Sequence, residues 1–570
     1  MNNLKRQIIL ITGCFILILC ISASAINAQA PQTMPPSESE NRELPPRTGF
    51  VPPNVDLSHL NGYVTAQKLS VTSAVAEFDW RDSGVVTAVR NQGSCGACYS
   101  FASLANFESK MIRDSEGIFD FSENNAKECN YYDASCGGGS FQLLANLYSK
   151  EGVVLESCDP YSTSNVSCNT SCTAIKTLLD WRIISTNAVP STTILKNYIQ
   201  TYGPVYTSYY AGDASDVSWQ NEMYNYDGTY TMYYTGSYAT NHAVMIVGWD
   251  DNLTHAGGSG GWIVKNSWGT NWGGTCGYGS EKGYFTIAYN SANIGQYSSY
   301  LFDWQDYDAA GFLMSYDDGG FTNYWGYSSP TGWGMCKFIA PDDIDLTRIE
   351  FWTTDVTTDI DIYVYDNFSG GTLGNLLGSK LNSSFSEAGY HSVALDAPLM
   401  LTNGADFYVS VKFTNSSFIY PIAADNQIPT VTGSTYISSN GSSWYDLGTN
   451  GTPSDVGIRA RATLTLAQSN DDKDITRPND FLLSQNYPNP FNSATAIEFS
   501  VPTRSQVSID IYNLLGQKIN TIIDEVLPVG NHTTIWNGND KNGRPVSSGV
   551  YYYRIAADEL VETKKLVLLK

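Results

Sequence analysis

Cys98 sits in the stretch QGSCGACYSF, from Gln92 to Phe101, where a thiol could act as a nucleophile. A thiol near its free pKa is only slightly ionised at neutral pH, yet the thiolate is the attacking species, so a catalytic cysteine needs help. A helix starting at Tyr99 would aim its first amides and its positive dipole end at the sulfur. An imidazole would take the proton, and a third group would hold that imidazole in place. Two downstream stretches supply both, NHAVMIVGW with His242 and VKNSWG with Asn266. Of the five histidines, His59 lies in an amino-terminal leader, His391 and His532 in β-patterned blocks, and His255 in a glycine-rich loop. A lone histidine at the head of an apolar strand is better read as a satisfied core residue. With Cys98 before His242 and Asn266 after it, the catalytic reading wins.

These residues need elements to position them. FASLANFESKMI and SFQLLANLYSK carry apolar residues at helical spacing, and HAVMIVGW and GWIVKNSW read as short buried strands. From Phe78 to about Asn293 the pattern is therefore α+β. After about Ser298 it changes to alternating, aromatic-rich strands such as DIDIYVYD and DFYVSVKF, which predict a β-sandwich. A polar linker, QSNDDKDITRPND, leads to evenly spaced short strands that predict a small immunoglobulin-like sandwich. The 570 residues thus divide into 1–25 signal peptide, 26–74 leader, 75–298 α+β domain, 299–467 β-sandwich, 468–480 linker and 481–570 terminal module.

Lys5 and Arg6 precede an apolar run from Ile8 to Ile21, and Ala23-Ser24-Ala25 offers a cleavage site. The chain is read as exported, and as soluble or surface-attached once the signal is removed. Of its 11 cysteines, Cys14 and Cys20 leave with the signal, and the odd remainder leaves at least one thiol unpaired, most naturally Cys98. A formal charge of −24 lacks the basic footprint that nucleic acid requires. Histidine is scarce and no C-x-x-C pairs recur, so no metal and no cofactor is expected.

CGACY, Cys95 to Tyr99, fits the C-G-[SA]-C-[WY] signature of papain and cathepsins. FDWRDSGVVTAVRNQGSCGACYSF, FSENNAKEC, SCGGG, NHAVMIVGW, KNSWGTNWG and EKGYFTIA follow in the same order, so 78–293 resembles the papain-like cysteine proteases. The resemblance implies a two-lobed fold, with Cys98 as nucleophile, His242 as base and then acid, and Asn266 as orienter. Gln92 would donate to the oxyanion together with the Cys98 amide. Trp268 would shield the Asn–His bond, Gly138 and Gly139 would pair with extended substrate, and Phe141, Ser140 and Ala243 would line the pocket second from the cleaved bond. Cys95 would pair with Cys136 and Cys129 with Cys168. The pairing of Cys158, Cys172, Cys276 and Cys336 is left open, with a local Cys158–Cys172 bridge as one option and no assignment for Cys276 and Cys336. Asn241 stands where many relatives carry Asp, and the leader is much shorter than their helical propeptides.

The middle block resembles the lectin-like domains that follow some prokaryotic papain-family peptidases, on DWQDYDAAGFLMSYDDGG and NYWGYSSPTGWGMCKF. Its aromatics are weighed as core ahead of a sugar-stacking face. QNYPNPFNSATAIEFSVP, IYNLLGQKI and the terminal KKLVLLK resemble the carboxy-terminal sorting domain of the type IX secretion system. The whole reads as a monomeric secreted endopeptidase acting on proteins or peptides, with surface glycans and the secretion machinery as further partners. A non-enzymatic adhesin and an exopeptidase of the same fold are the alternatives.

Overall fold

The computed structural model describes residues 48–61, 75–427, 430–449 and 453–465, the pair Gln32–Thr33, and most of 482–569. The expected signal peptide and the linker lie outside the described residues. Among the described residues no helix is long and apolar enough to cross a membrane.

One side of the α+β region is built on helices α1 (Cys98–Arg113), α2 (Glu123–Glu128) and α3 (Phe141–Lys150). α2 and α3 start where Ser122 and Ser140 accept hydrogen bonds from Asn125 and Leu143, satisfying amides that a helix start leaves orphaned. The other side is an antiparallel sheet in which His242–His255 lies between Val205–Tyr209 and Gly258–Lys265. Cys98 heads a helix on the first side and His242 a strand on the second, so the chemistry falls at the seam.

The segment DNLTHAGGSGG extends both strands as a hairpin rather than forming a surface loop. Thr254 pairs with Ser259 and His255 with Gly258. Polar residues tolerate this because the extension is largely solvent-facing, whereas His242 to Trp249 is buried throughout.

The sandwich is not built separately from the α+β region. Gly389 and Tyr390 pair with Arg182 and Trp181, so one sheet of 11 strands runs from the first region into the second. A six-stranded sheet that includes Thr358–Ser369 and Asp406–Asn415 covers it, with Ile349, Phe351, Ile362, Val411 and Ile458 buried between. Tyr324, Trp325 and Tyr327 of the aromatic run are buried, so they supply core and not a sugar-stacking face. Two buried arginines, each ion-paired within the sandwich, rivet the seam. Arg459 meets Asp317 at 2.8 Å with both side chains wholly buried, and also reaches Ser149 and Asn146 of α3. Arg461 joins Glu350 and donates to the Ser149 carbonyl.

The terminal module has two sheets. Leu482–Leu483, Thr495–Val501 and Gly530–Trp536 form one, and Lys518–Leu527, Ser505–Asn513, Gly549–Ala557 and Leu560–Leu568 form the other. Ile497, Phe499, Ile509 and Tyr553 share the core between them.

Candidate active site

Cys98 is itself the first residue of α1, one residue earlier than the sequence implies, because Ala97 takes the N-cap position. The disulfide Cys95–Cys136 anchors the loop before it. Gly96 has no side chain for a steric reason: a Cβ there would meet the Cys136 carbonyl oxygen at 2.5 Å and that of Thr48 at 2.6 Å. Bridges Cys129–Cys168 and Cys158–Cys172 complete the disulfides. Among the described residues three thiols stay reduced, Cys98, the part-exposed Cys276 and the buried Cys336, so Cys98 is not alone in being free.

His242 begins one strand and Asn266 directly follows the end of its antiparallel neighbour, which brings residues 24 positions apart to 2.8 Å, Nε2 to Oδ1. The same Oδ1 accepts the Ser267 amide, which fixes the Asn266 amide and assigns the imidazole proton to Nε2. Nδ1 is then the basic nitrogen, and it has no hydrogen-bond partner. The Trp268 ring lies 4.9 Å from the imidazole and packs against Trp272, keeping water from the His–Asn bond. Gln92 is wholly buried. Ser267 donates to its Oε1 at 2.6 Å and its Nε2 donates to the Cys95 carbonyl at 2.8 Å, which turns the NH2 end toward the loop that carries the thiol.

Beneath the pair lies a polar layer that sequence reasoning missed. Glu108 accepts from Thr87 and from the Phe121 amide, and Lys265, the residue before Asn266, donates to Thr87. Burial raises the Glu108 carboxyl and lowers the Lys265 ammonium, and the attraction between them opposes both shifts. The signal available was a lysine ending an apolar strand and a glutamate inside the apolar stripe of α1.

The described part of the leader lies across this site. Gly49 and Phe50 donate to the Asn241 carbonyl, Gly139 donates to the Gly49 carbonyl and Val51 donates to that of Gly139. Phe50 thereby forms a parallel bridge with Gly139. Its ring, 1% exposed, enters a cavity lined by Phe141, Trp181, Tyr206 and Ser299. Ala243 joins the same apolar cluster. Gly49 is required at the crossing, since a Cβ would lie 1.8 Å from the Gly96 carbonyl oxygen, and a Cβ on Gly138 would lie 2.6 Å from that of Gly49, so three glycines let backbones touch. Farther on, Tyr324 donates to the Asp56 carbonyl, and His59 stacks on Phe418 at 3.6 Å while its Nε2 lies 2.7 Å from the Thr354 carbonyl.

Covered in this way, the pair is chemically muted. Burial pushes the Cys98 thiol up to about 12, only partly offset by the amides of Ala243 and Gly49. Burial also lowers His242 to about 4 against the Asn266 bond, which favours its protonated form. Both groups are therefore neutral beneath the leader at neutral pH.

Residues 74–302 match the family of papain family cysteine proteases. This module is similar to the papain family over those residues. Residues 313–462 match the lectin like domain and 485–569 the secretion system C-terminal sorting domain. Viral cathepsins of Choristoneura fumiferana nuclear polyhedrosis virus and Rachiplusia ou multiple nucleopolyhedrovirus are each 33% identical, over 221 and 219 residues. Each alignment covers 38% of this chain and 59% of the relative, so the chain spans about three-fifths of their length. The structure of the cysteine protease and lectin-like domains of Cwp84, a surface layer associated protein of Clostridium difficile, superposes with a TM-score of 0.61. It is 19% identical and covers 77% of this chain and 99% of that one. Cwp84 after propeptide cleavage gives a TM-score of 0.57 at 21% identity, over 68% of this chain and 100% of that one. The papain-family module and the lectin-like module thus share their joint architecture with a known fold, and the chain carries a secretion sorting domain at its end.

Proposed function

We propose that this chain is a secreted cysteine endopeptidase, made as a zymogen whose leader fills its own cleft. The observation that carries the reading is the His242–Asn266 pair, with Nε2 committed to Asn266, Nδ1 unpartnered, and the amide of the next residue, Ala243, donating to the Cys98 sulfur at 3.3 Å. Once the leader leaves, water and substrate reach the thiol, and Nδ1 takes its proton. The sulfur attacks the peptide carbonyl carbon, and the oxyanion draws on the Cys98 amide and the Gln92 NH2. Losing one such donor typically costs about 2.7–4 kcal/mol of transition-state stabilisation. Protonated His242 then gives its proton to the leaving amine, leaving a thioester on Cys98. Water, deprotonated by His242, hydrolyses the thioester and frees the acid product.

Gly138 and Gly139 would pair with the substrate backbone, and the Phe50 cavity with Phe141 and Ala243 would take an apolar side chain. The sorting domain fits export through the type IX system and attachment at the outer surface. An adhesin that keeps the module only as scaffold would not need Asn266 and Trp268 arranged around the imidazole. Cys98→Ala in leader-free chain is expected to abolish peptide hydrolysis while leaving the melting temperature unchanged. Undiminished hydrolysis by that variant would refute the mechanism.

A further inference from the structure

Past Phe50 the leader enters a groove of about 680 Å³ whose walls come from two modules. Tyr132, Gly139, Gln142 and Leu143 form the papain-family side, Gly319 to Thr322 the lectin-like side, and Val51 to Asn54 of the leader lie against both. Two hydrogen bonds hold the walls together. Gln142 Nε2 donates to the Phe321 carbonyl at 2.6 Å, and the Tyr132 hydroxyl donates to that of Gly319 at 3.0 Å.

The first bond fixes the Gln142 amide, because turning it over would set Oε1 against the Phe321 carbonyl oxygen. Oε1 is thereby left as a buried acceptor with no partner, on a side chain only 8% exposed. Leaving a buried acceptor unfilled costs free energy, so such groups are almost always paired. The leader explains the vacancy here. After Val51 spends its amide on Gly139, the next two residues against the groove are Pro52 and Pro53, and proline has no N–H to give.

We propose that Gln142 is a substrate-binding residue whose Oε1 accepts a backbone N–H of the polypeptide, three or four residues before the cleaved bond. The lectin-like module makes it one by holding the amide in that orientation through Phe321. The Pro-Pro pair lets the leader cover the cleft without satisfying this acceptor, so an ordinary polypeptide gains a bond that the leader lacks. The inference rests on the peptidase reading above and extends it from the reacting centre to the second module.

The test pairs peptide substrates that differ only by N-methylation of the third or fourth residue before the cut, using leader-free full chain and its Gln142→Met variant. In the wild type, methylation at one of the two positions is expected to lower kcat/KM about fivefold more than it does in the variant. Equal penalties in both proteins would overturn the proposal. If the wild type cuts neither parent peptide, the peptidase reading fails instead. Because Gln142→Met could fail to fold, a second arm uses the wild type alone and synthetic peptides of residues 48–61 as inhibitors. Peptides with alanine at 52 or 53 are compared with peptides carrying N-methylalanine there. The alanine peptide is expected to bind about fivefold more tightly at one position, and equal inhibition constants at both would overturn the assignment.

Discussion

Replacing Phe50 with alanine attacks the leader where it is most deeply held. The ring is 1% exposed in its cavity, and full burial of such a side chain is worth roughly 1.5–3 kcal/mol relative to leaving it in water. The leader backbone keeps its hydrogen bonds to Asn241 and Gly139 in the variant, so the loss falls mainly on docking. At about 1.4 kcal/mol per factor of ten, the undocked population should rise roughly 12- to 140-fold. Cys98 is wholly buried while the leader is docked, so a thiol-directed epoxide reacts with it only through the undocked state. Intact mass spectrometry of unprocessed chain, sampled over time with excess epoxide, gives the labelling rate directly. The account predicts acceleration within that range at an unchanged melting temperature. A labelling rate equal to wild type would show that the leader does not control access to the thiol.

Two more outcomes follow from the same contacts. Burial lowers His59, although Asp56 and Asp355 pull it up, so the docked leader holds the neutral imidazole. Docking is then full above the free histidine pKa of about 6.5 and weakens as pH falls through it. Epoxide labelling of unprocessed wild type, corrected for the reagent's own pH dependence, should therefore quicken toward pH 5, and His59→Phe should flatten that rise. An unflattened profile would remove His59 from the latch. At the seam, Arg459→Ala leaves the wholly buried Asp317 without its partner and should cost about 3–5 kcal/mol in denaturant unfolding. A loss below 1 kcal/mol would mean that Arg459 does not rivet the two modules.

The reacting residues were legible in the sequence because each sits in a short, chemically distinctive stretch. Cys98 precedes a helical pattern, His242 heads an apolar strand, and Asn266 lies in KNSW. Their meeting follows from one strand pairing, in which Met245 faces Lys265 and Ile246 faces Val264. The leader's placement was not legible. Thr48 to Asn61 has no periodicity, and its docking rests on glycine-to-glycine approach and on contacts to residues as distant as Tyr324. The shared sheet escaped notice for a related reason. The pairing of Tyr390 with Trp181 joins strands far apart in the chain, and no local pattern encodes a register over that distance. Gln142 looked like an ordinary early residue of α3 until Phe321 fixed its amide.

The central claim is that Cys98, and neither of the other two reduced thiols, performs the chemistry. Active-site titration of leader-free chain tests it most directly, with epoxide added in substoichiometric steps while hydrolysis and the site of labelling are both followed. The account predicts that hydrolysis falls linearly to zero at one equivalent, with all label on Cys98. Hydrolysis that survives complete labelling of Cys98, or that disappears with the label on Cys276 or Cys336, would contradict it.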